Sequence, residues 1–417
     1  MTEKINVLEY ISNSFNQISD YMAKKYPERK WMYEAQASYW HRIYRAREEG
    51  IPVIWHSLSV TPELLNAMGA VPICIDGLAT TLGGLKMGVG KYVDIAQSYV
   101  PDHICAFNKT GLGLAISGDM PKPDALIYSS APCDSARIAY PLIGEYLNVP
   151  HFCIDTPVEE SDRSYEYIAR EIKEAITFLE EATGRKLDWS AMTKAIEYSN
   201  QAYELIAQIA DLRKSVPCPL PGRLLVMNGI FLSMVGSPKI VDFLRTQLDM
   251  GREKVKKKEG HLAEEKTRLA WIQNPISFEL GILDWLEKEF GAIVTMDAFG
   301  FRKAVLINDT SDEEKVLKGL AERLLKIPMI HGTAGPTEYW LDSVNEILSE
   351  YKCDAAIFAG HVGCKHTWAV GKLIKDMITD KFNIPTLVFD VDALDPRYTM
   401  PDVVRAKIKD FMEIVVQ

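Results

Sequence analysis

Two hydrophobic patterns divide the chain. The first is a short apolar run bounded by proline, glycine or aspartate: PVIW from Pro52, VPICI from Val71, ALIY from Ala125 and PHFCI from Pro150, then RLAWI, AIVTM, AAIF and PTLVF after residue 262. Runs this brief, without polar alternation, suit strands buried on both faces, as in a parallel sheet. The second pattern spaces apolar residues three and four apart, as in YEYIAREIKEAITFLEEATGRK and SAMTKAIEYSNQAYELIAQIADLRK, and predicts long amphipathic helices. It fills residues 159–262, where PCPLPGR at 217–223 breaks it, and the first 50 residues, where WMYEAQASYWHRIYRAREEG carries an aromatic stripe suited to packing on a core.

The apolar runs repeat. Asp124–Asp155 parallels Asp354–Asp390: an aspartate, an apolar run, a small-residue loop ending in cysteine, a helix-like stretch, then V/I-P and a second apolar run closing on aspartate. More faintly, Pro52–Asp76 parallels Thr267–Asp297. The expected fold is therefore α/β: two doubly wound, Rossmann-like parallel-sheet domains with a helical insertion between them. The expected divisions are an N-terminal helical segment at 1–50, a first α/β domain at 51–158, the insertion at 159–262 and a second α/β domain at 263–417.

Composition narrows the function. Hydrophobic residues make up 47% of the 417 and the net charge is -10, so no basic face for nucleic acid or an anionic membrane is expected. No window approaches a membrane span, and MTEKINVLEYISNSF lacks the basic flank and apolar core of a signal peptide. A cytoplasmic protein is expected. Seven cysteines, an odd number, widely spaced and without a CxxC, argue against a disulfide framework, a zinc ribbon or a dithiol motif.

Position separates the cysteines. Ligands collect at the carboxyl ends of strands in doubly wound sheets. Cys133 follows DALIYSS and Cys364 follows DAAIFAG, both at that edge, and Cys105 lies in YVPDHICAFNKTGLG ahead of a glycine-punctuated helix. Cys74 and Cys153 sit inside apolar runs and read as core residues, and Cys218 and Cys353 as incidental. Cys105, Cys133 and Cys364 could bind zinc with His361 or His103 as a fourth ligand, or hold three irons of a 4Fe-4S cluster; spacing alone leaves both open.

The ordered motifs HIC at 103–105, APCD at 131–134, EEKTRL at 264–269, GHVGCK at 360–365 and DVDALDPRY at 390–398 resemble the 2-hydroxyacyl-CoA dehydratase and benzoyl-CoA reductase family, and the whole chain fits its layout. The last two motifs look more like the α-type dehydratase subunit than its β-type partner. The resemblance implies a 4Fe-4S cluster held by Cys105, Cys133 and Cys364, with one iron open for the thioester oxygen of an acyl-CoA and no flavin. It implies a heterodimer with a β-type subunit carrying its own cluster, and an ATP-dependent 4Fe-4S activator that delivers one electron. The reaction implied is anaerobic elimination of water from an (R)-2-hydroxyacyl-CoA, as in amino-acid fermentation, to give the 2-enoyl-CoA through a ketyl radical. Such chemistry is needed because the C3 proton is not acidic enough for an ordinary base.

By the same resemblance, a serine after the first strand and a carboxylate after the second act near the substrate. Ser59, with Ser57 second, and Asp76 match, although family members place a glutamate near the last position. His361 lines the open iron, closes it, or does neither. Arg137 and Lys365, each near a helix start after a cysteine, are candidates for the CoA phosphates. Asp392 and Arg397 either serve the site or hold a turn. The alternatives are an aromatic-ring acyl-CoA reductase subunit, or a non-catalytic electron-relay subunit.

Overall fold

The computed structural model of the protein describes residues 5–415. Its eight strands form two all-parallel sheets of four. The first contains β1 (Val53–His56), β2 (Val71–Cys74), β3 (Ala125–Ser129) and β4 (His151–Ile154) in the order β2-β1-β3-β4. The second contains β5 (Thr267–Trp271), β6 (Ala292–Asp297), β7 (Ala355–His361) and β8 (Thr386–Val391) in the order β6-β5-β7-β8. The repeated apolar runs have thus become the same strand order twice.

The aspartate that opens each repeat has a structural job. Asp124 accepts the Val53 N–H through Oδ2 at 2.7 Å, and Asp354 accepts the Arg268 N–H in the same way at 2.8 Å. Each therefore satisfies a backbone donor at the start of the neighbouring strand, where the ladder has not yet begun. Burial of β1, β2, β3 and β7 is complete on both faces, which accounts for their continuous apolar sequence. At the sheet edge, β4 is only half-buried, so Cys153 on it is partly exposed, unlike the core residue its surroundings suggested.

Helices connect and cover the strands. Pro62–Ala67 and Asp134–Leu147 link the pairs of the first sheet, and Ile282–Phe290 and Gly371–Phe382 those of the second. The N-terminal helices, Val7–Lys25 and Lys30–Arg45, bury Tyr39 and Trp40, and Tyr39 meets Phe231 edge-on at 5.6 Å. The aromatic stripe is core packing, as expected.

The central helices Asp162–Thr183, Trp189–Leu212, Arg223–Ile230 and Pro238–Lys257 are woven into both halves. Asp162–Thr183 is capped by Ser161, whose side chain accepts the Ser164 N–H, and stops at Gly184, which takes a left-handed φ of 66°. Its apolar stripe, Ile168, Ile172, Ala175 and Leu179, shares one core with Ile127 and Ile154 of the first sheet and with Leu317 and Leu320 of the second half. A buried ion pair adds to this union: Arg323 Nη1 lies 3.0 Å from Glu63 Oε1, with each side chain 2% exposed.

Candidate active site

Three helices begin at the three singled-out cysteines. Cys105 precedes Ala106–Ser117, Cys133 precedes Asp134–Leu147 and Cys364 precedes the short Lys365–Ala369. These cysteines, each half-buried, line one cavity, whose wall also takes Ser57 after β1 and Asn274 after β5. The cavity thus lies where the carboxyl ends of both sheets meet, the edge at which doubly wound sheets bind ligands.

The cysteine segments brace one another. Cys105 donates its N–H to Ser135 Oγ at 3.1 Å, tying it to the helix that follows Cys133. A Cβ on Gly363 would come within 2.7 Å of Cys105 Cα, so the loop carrying Cys364 can approach only because that residue is glycine. Cys133 Sγ accepts the Ala136 N–H at 3.4 Å. Burial pushes the Cys133 thiol up to about 12 and raises Cys364; it raises Cys105 well above the usual thiol range, reinforced by the charges of Cys133 and Cys364. Thiols this reluctant to ionise form thiolates readily only when a cation compensates them. Among the described residues, no group of three or more His, Cys, Asp or Glu side chains is arranged to hold a metal ion.

His361, the last residue of β7, is fully buried, and its ring meets Phe107 edge-on at 5.5 Å. Its Nδ1 lies 3.1 Å from the Ala393 backbone nitrogen and its Nε2 3.2 Å from Cys105 Sγ. Burial holds this imidazole below its usual range, against the opposing pull of Asp392. His103, by contrast, is exposed and does not line the cavity.

Ser57, Ser59 and Asp76 all reach the cavity wall. Ser57 Oγ accepts the Ser129 N–H at 3.3 Å, so this hydroxyl also holds its loop to β3. Asp76 lies in the first turn of the helix Ile75–Gly84 and is gripped from two sides: Leu58 N–H donates to Oδ2 and Asn108 Nδ2 to Oδ1, both at 3.1 Å. Burial raises its carboxyl above the usual range, and these two donors only partly offset that. Lys365 lines the cavity and stands 3.9 Å from Asp134. Arg137 is exposed and lies outside the cavity lining.

The DVDALDPRY segment divides its duties. Asp392 Oδ1 accepts the N–H groups of Leu394 and Asp395, both at 2.9 Å, and so braces the turn. Arg397 pairs with Asp395 and reaches across to Asp94 at 2.8 Å, joining the second half to the helix Gly90–Gln97. The turn reading of these residues fits their contacts, with Asp395 rather than Asp392 as the partner of Arg397.

Sequence reasoning missed the residues that support these groups. Asn108 sits one turn beyond Cys105 on a buried helix, and its place beside Asp76 depends on how that helix packs. His56 donates through Nδ1 to Ser57 O at 2.7 Å and meets Ser233 Oγ at 3.1 Å, so it fixes the Ser57 loop against the central helices. Those helices also supply an apolar wall, including Ile206, Leu225 and Ile230, facing Trp271, Phe299 and Met329. A helical stretch that reads as an insertion carries no sign that it will close a cavity.

A family model described as 2-hydroxyglutaryl-CoA dehydratase, D-component, matches residues 58–415. The chain is 25% identical to the (R)-2-hydroxyisocaproyl-CoA dehydratase alpha subunit of Clostridioides difficile, over 94% of this chain and 97% of that one. It is 22% identical to the lactoyl-CoA dehydratase alpha subunit of Anaerotignum propionicum, over 89% of this chain and 92% of that one. It is also 21% identical to a benzoyl-CoA reductase subunit of Thauera aromatica, over 80% of this chain and 82% of that one.

Proposed function

Because the chain belongs to the family of 2-hydroxyglutaryl-CoA dehydratase D-components, we propose that it is the α-type subunit of a dehydratase acting on (R)-2-hydroxyacyl-CoA thioesters. The reaction removes water to give the 2-enoyl-CoA by a ketyl-radical route, after one electron arrives from an ATP-dependent activator. A β-type subunit completes the complex, in keeping with relatives that are named alpha subunits.

The observation that carries this reading is the convergence of Cys105, Cys133 and Cys364 on one cavity wall. Soft cysteine sulfurs are the ligands that iron-sulfur centres take, and we assign these three to corners of a 4Fe-4S cluster. When bound there, the cluster would supply one-electron transfer and a Lewis-acidic iron for the thioester oxygen. The chain's own residues do the rest. Ser59 and Asp76 are assigned to proton transfer at the substrate; the raised carboxyl of Asp76 holds a proton more readily than an exposed aspartate would. Lys365 offers charge to the CoA phosphates, and the apolar wall excludes water and favours an aliphatic or aromatic acyl group.

The test is an anaerobic assay of the purified chain with its partner subunit, activator and ATP over a panel of 2-hydroxyacyl-CoAs, alongside iron and sulfide counts. Expected are about four irons and four sulfides per chain, and turnover that favours apolar acyl groups. An iron-free chain with turnover on no member would overturn the proposal. Failure on the whole panel together with reduction of an aromatic acyl-CoA would move it to the reductase side of the family, where the Thauera aromatica relative stands.

A further inference from the structure

We infer that His361 sets the reduction potential of the centre at the three cysteines by donating an Nε2–H hydrogen bond to the sulfur of Cys105, and is not a fourth ligand. This rests on the proposed cluster at Cys105, Cys133 and Cys364.

The tautomer follows from the neighbours of the ring. Ala393 has a backbone N–H to give, and the atom in its path, at 3.1 Å, is Nδ1 of His361. A donor facing Nδ1 requires a bare lone pair there. The two oxygens near the ring are already engaged: Asp392 Oδ1, 3.8 Å from Nδ1, accepts two backbone N–H groups, and the Val391 carbonyl accepts the Val362 N–H at 3.0 Å. In a neutral imidazole the single proton then resides on Nε2, which lies 3.2 Å from Cys105 Sγ. The bond therefore runs from nitrogen to sulfur.

The arrangement is also rigid. The ring is fully buried, edge-on to Phe107, and a Cβ on Gly363 would lie only 3.0 Å from Nε2. His361 ends β7 and Ala393 follows β8, its neighbour in the sheet, so the sheet itself sets the direction of the bond.

An N–H aimed at a ligating sulfur withdraws electron density and favours the reduced, more negative state of the centre. A ring protonated at Nε2 has no lone pair there for iron. Ligation through Nε2 would move the proton to Nδ1, against the Ala393 N–H, and forfeit that bond. His361 is thus a positioning residue that acts through Cys105.

The experiment uses the full chain, purified and reconstituted anaerobically, as wild type, His361→Phe and His361→Gln. Phenylalanine keeps the ring and removes the donor; glutamine carries an amide N–H near the ε position. Iron counts should be equal in all three. EPR-monitored potentiometry should show the phenylalanine variant harder to reduce by about tenfold in the equilibrium, or ~59 mV for one electron, with glutamine restoring most of the difference. An unchanged potential in His361→Phe would overturn the inference, as would loss of iron with a changed cluster signature, the mark of a lost ligand. In the metal-free chain, 15N-histidine NMR should show the Nε2-protonated form for the resonance missing from His361→Phe. Protonation at Nδ1 would sink the hydrogen bond itself, whereas an iron-free wild type would sink the cluster reading and with it the potential-setting role.

Discussion

Asp76 shows how one side chain's role depends on those beside it. Two residues past β2, it takes N–H bonds from Leu58 and Asn108 and lines the cavity, and its charge contributes to the raised thiol of Cys133. A general acid–base group removed from such a site costs about 10²–10⁴ in rate. Asp76→Asn should therefore lower kcat by that order while leaving the iron content unchanged, as anaerobic turnover and iron analysis of the same sample will tell. Loss of iron with the rate would instead make Asp76 a support for the cysteines. The sequence placed Asp76 and Ser59 at the strand ends, because an apolar run that stops on a polar residue marks the edge of a sheet. Asn108 and His56 escaped it, since each matters only through a neighbour distant in the chain.

At the scale of elements, the helix Ala106–Ser117 decides where Cys105 stands. Its residues from Ala106 to Ala115 are buried, and it packs on the helix Gly90–Gln97 so closely that a Cβ on Gly113 would lie 2.1 Å from Tyr92 O. No side chain can relieve a clash with backbone, so Gly113→Ala must push the two helices apart. The expected cost is about 1–3 kcal/mol, read as a lower urea midpoint, with weaker iron retention because Cys105 moves with its helix. The glycines of TGLGLAIS were visible as punctuation in the sequence. Their reason, two helix backbones in near contact, was not.

Across the whole molecule, buried charge joins three parts of the chain. Arg323, from the helix Glu313–Leu325, bonds Glu63 at 3.0 Å and also donates to Ser199 Oγ, so that the second half, the first half and the central helices meet at one guanidinium. Removing one partner of such a pair strands the other in the interior, a loss of about 3–5 kcal/mol. Arg323→Ala should lower the urea midpoint accordingly, and Arg323→Ala with Glu63→Leu should recover part of the loss. A midpoint unchanged in the single variant would show that the halves are held by apolar packing alone. Apolar packing runs the same way: Ile127 of the first sheet, Ile168 of the central helices and Leu320 of the second half share one core.

The sequence by itself determined the strands and helices, their duplicated succession and the strand ends at which the cavity opens. These follow from local pattern: doubly buried strands are written as apolar runs, and their ends as polar residues and glycine. Only the tertiary structure decided which groups meet. Cys105 and His361 lie 256 positions apart, yet stand 3.2 Å from one another. Arg137 and Lys365, alike in the sequence, part company at the cavity, which Lys365 lines and Arg137 does not. The physical reason is that side-chain chemistry is fixed residue by residue, whereas proximity and the direction of a hydrogen bond depend on packing between segments that carry no mark of one another in the sequence.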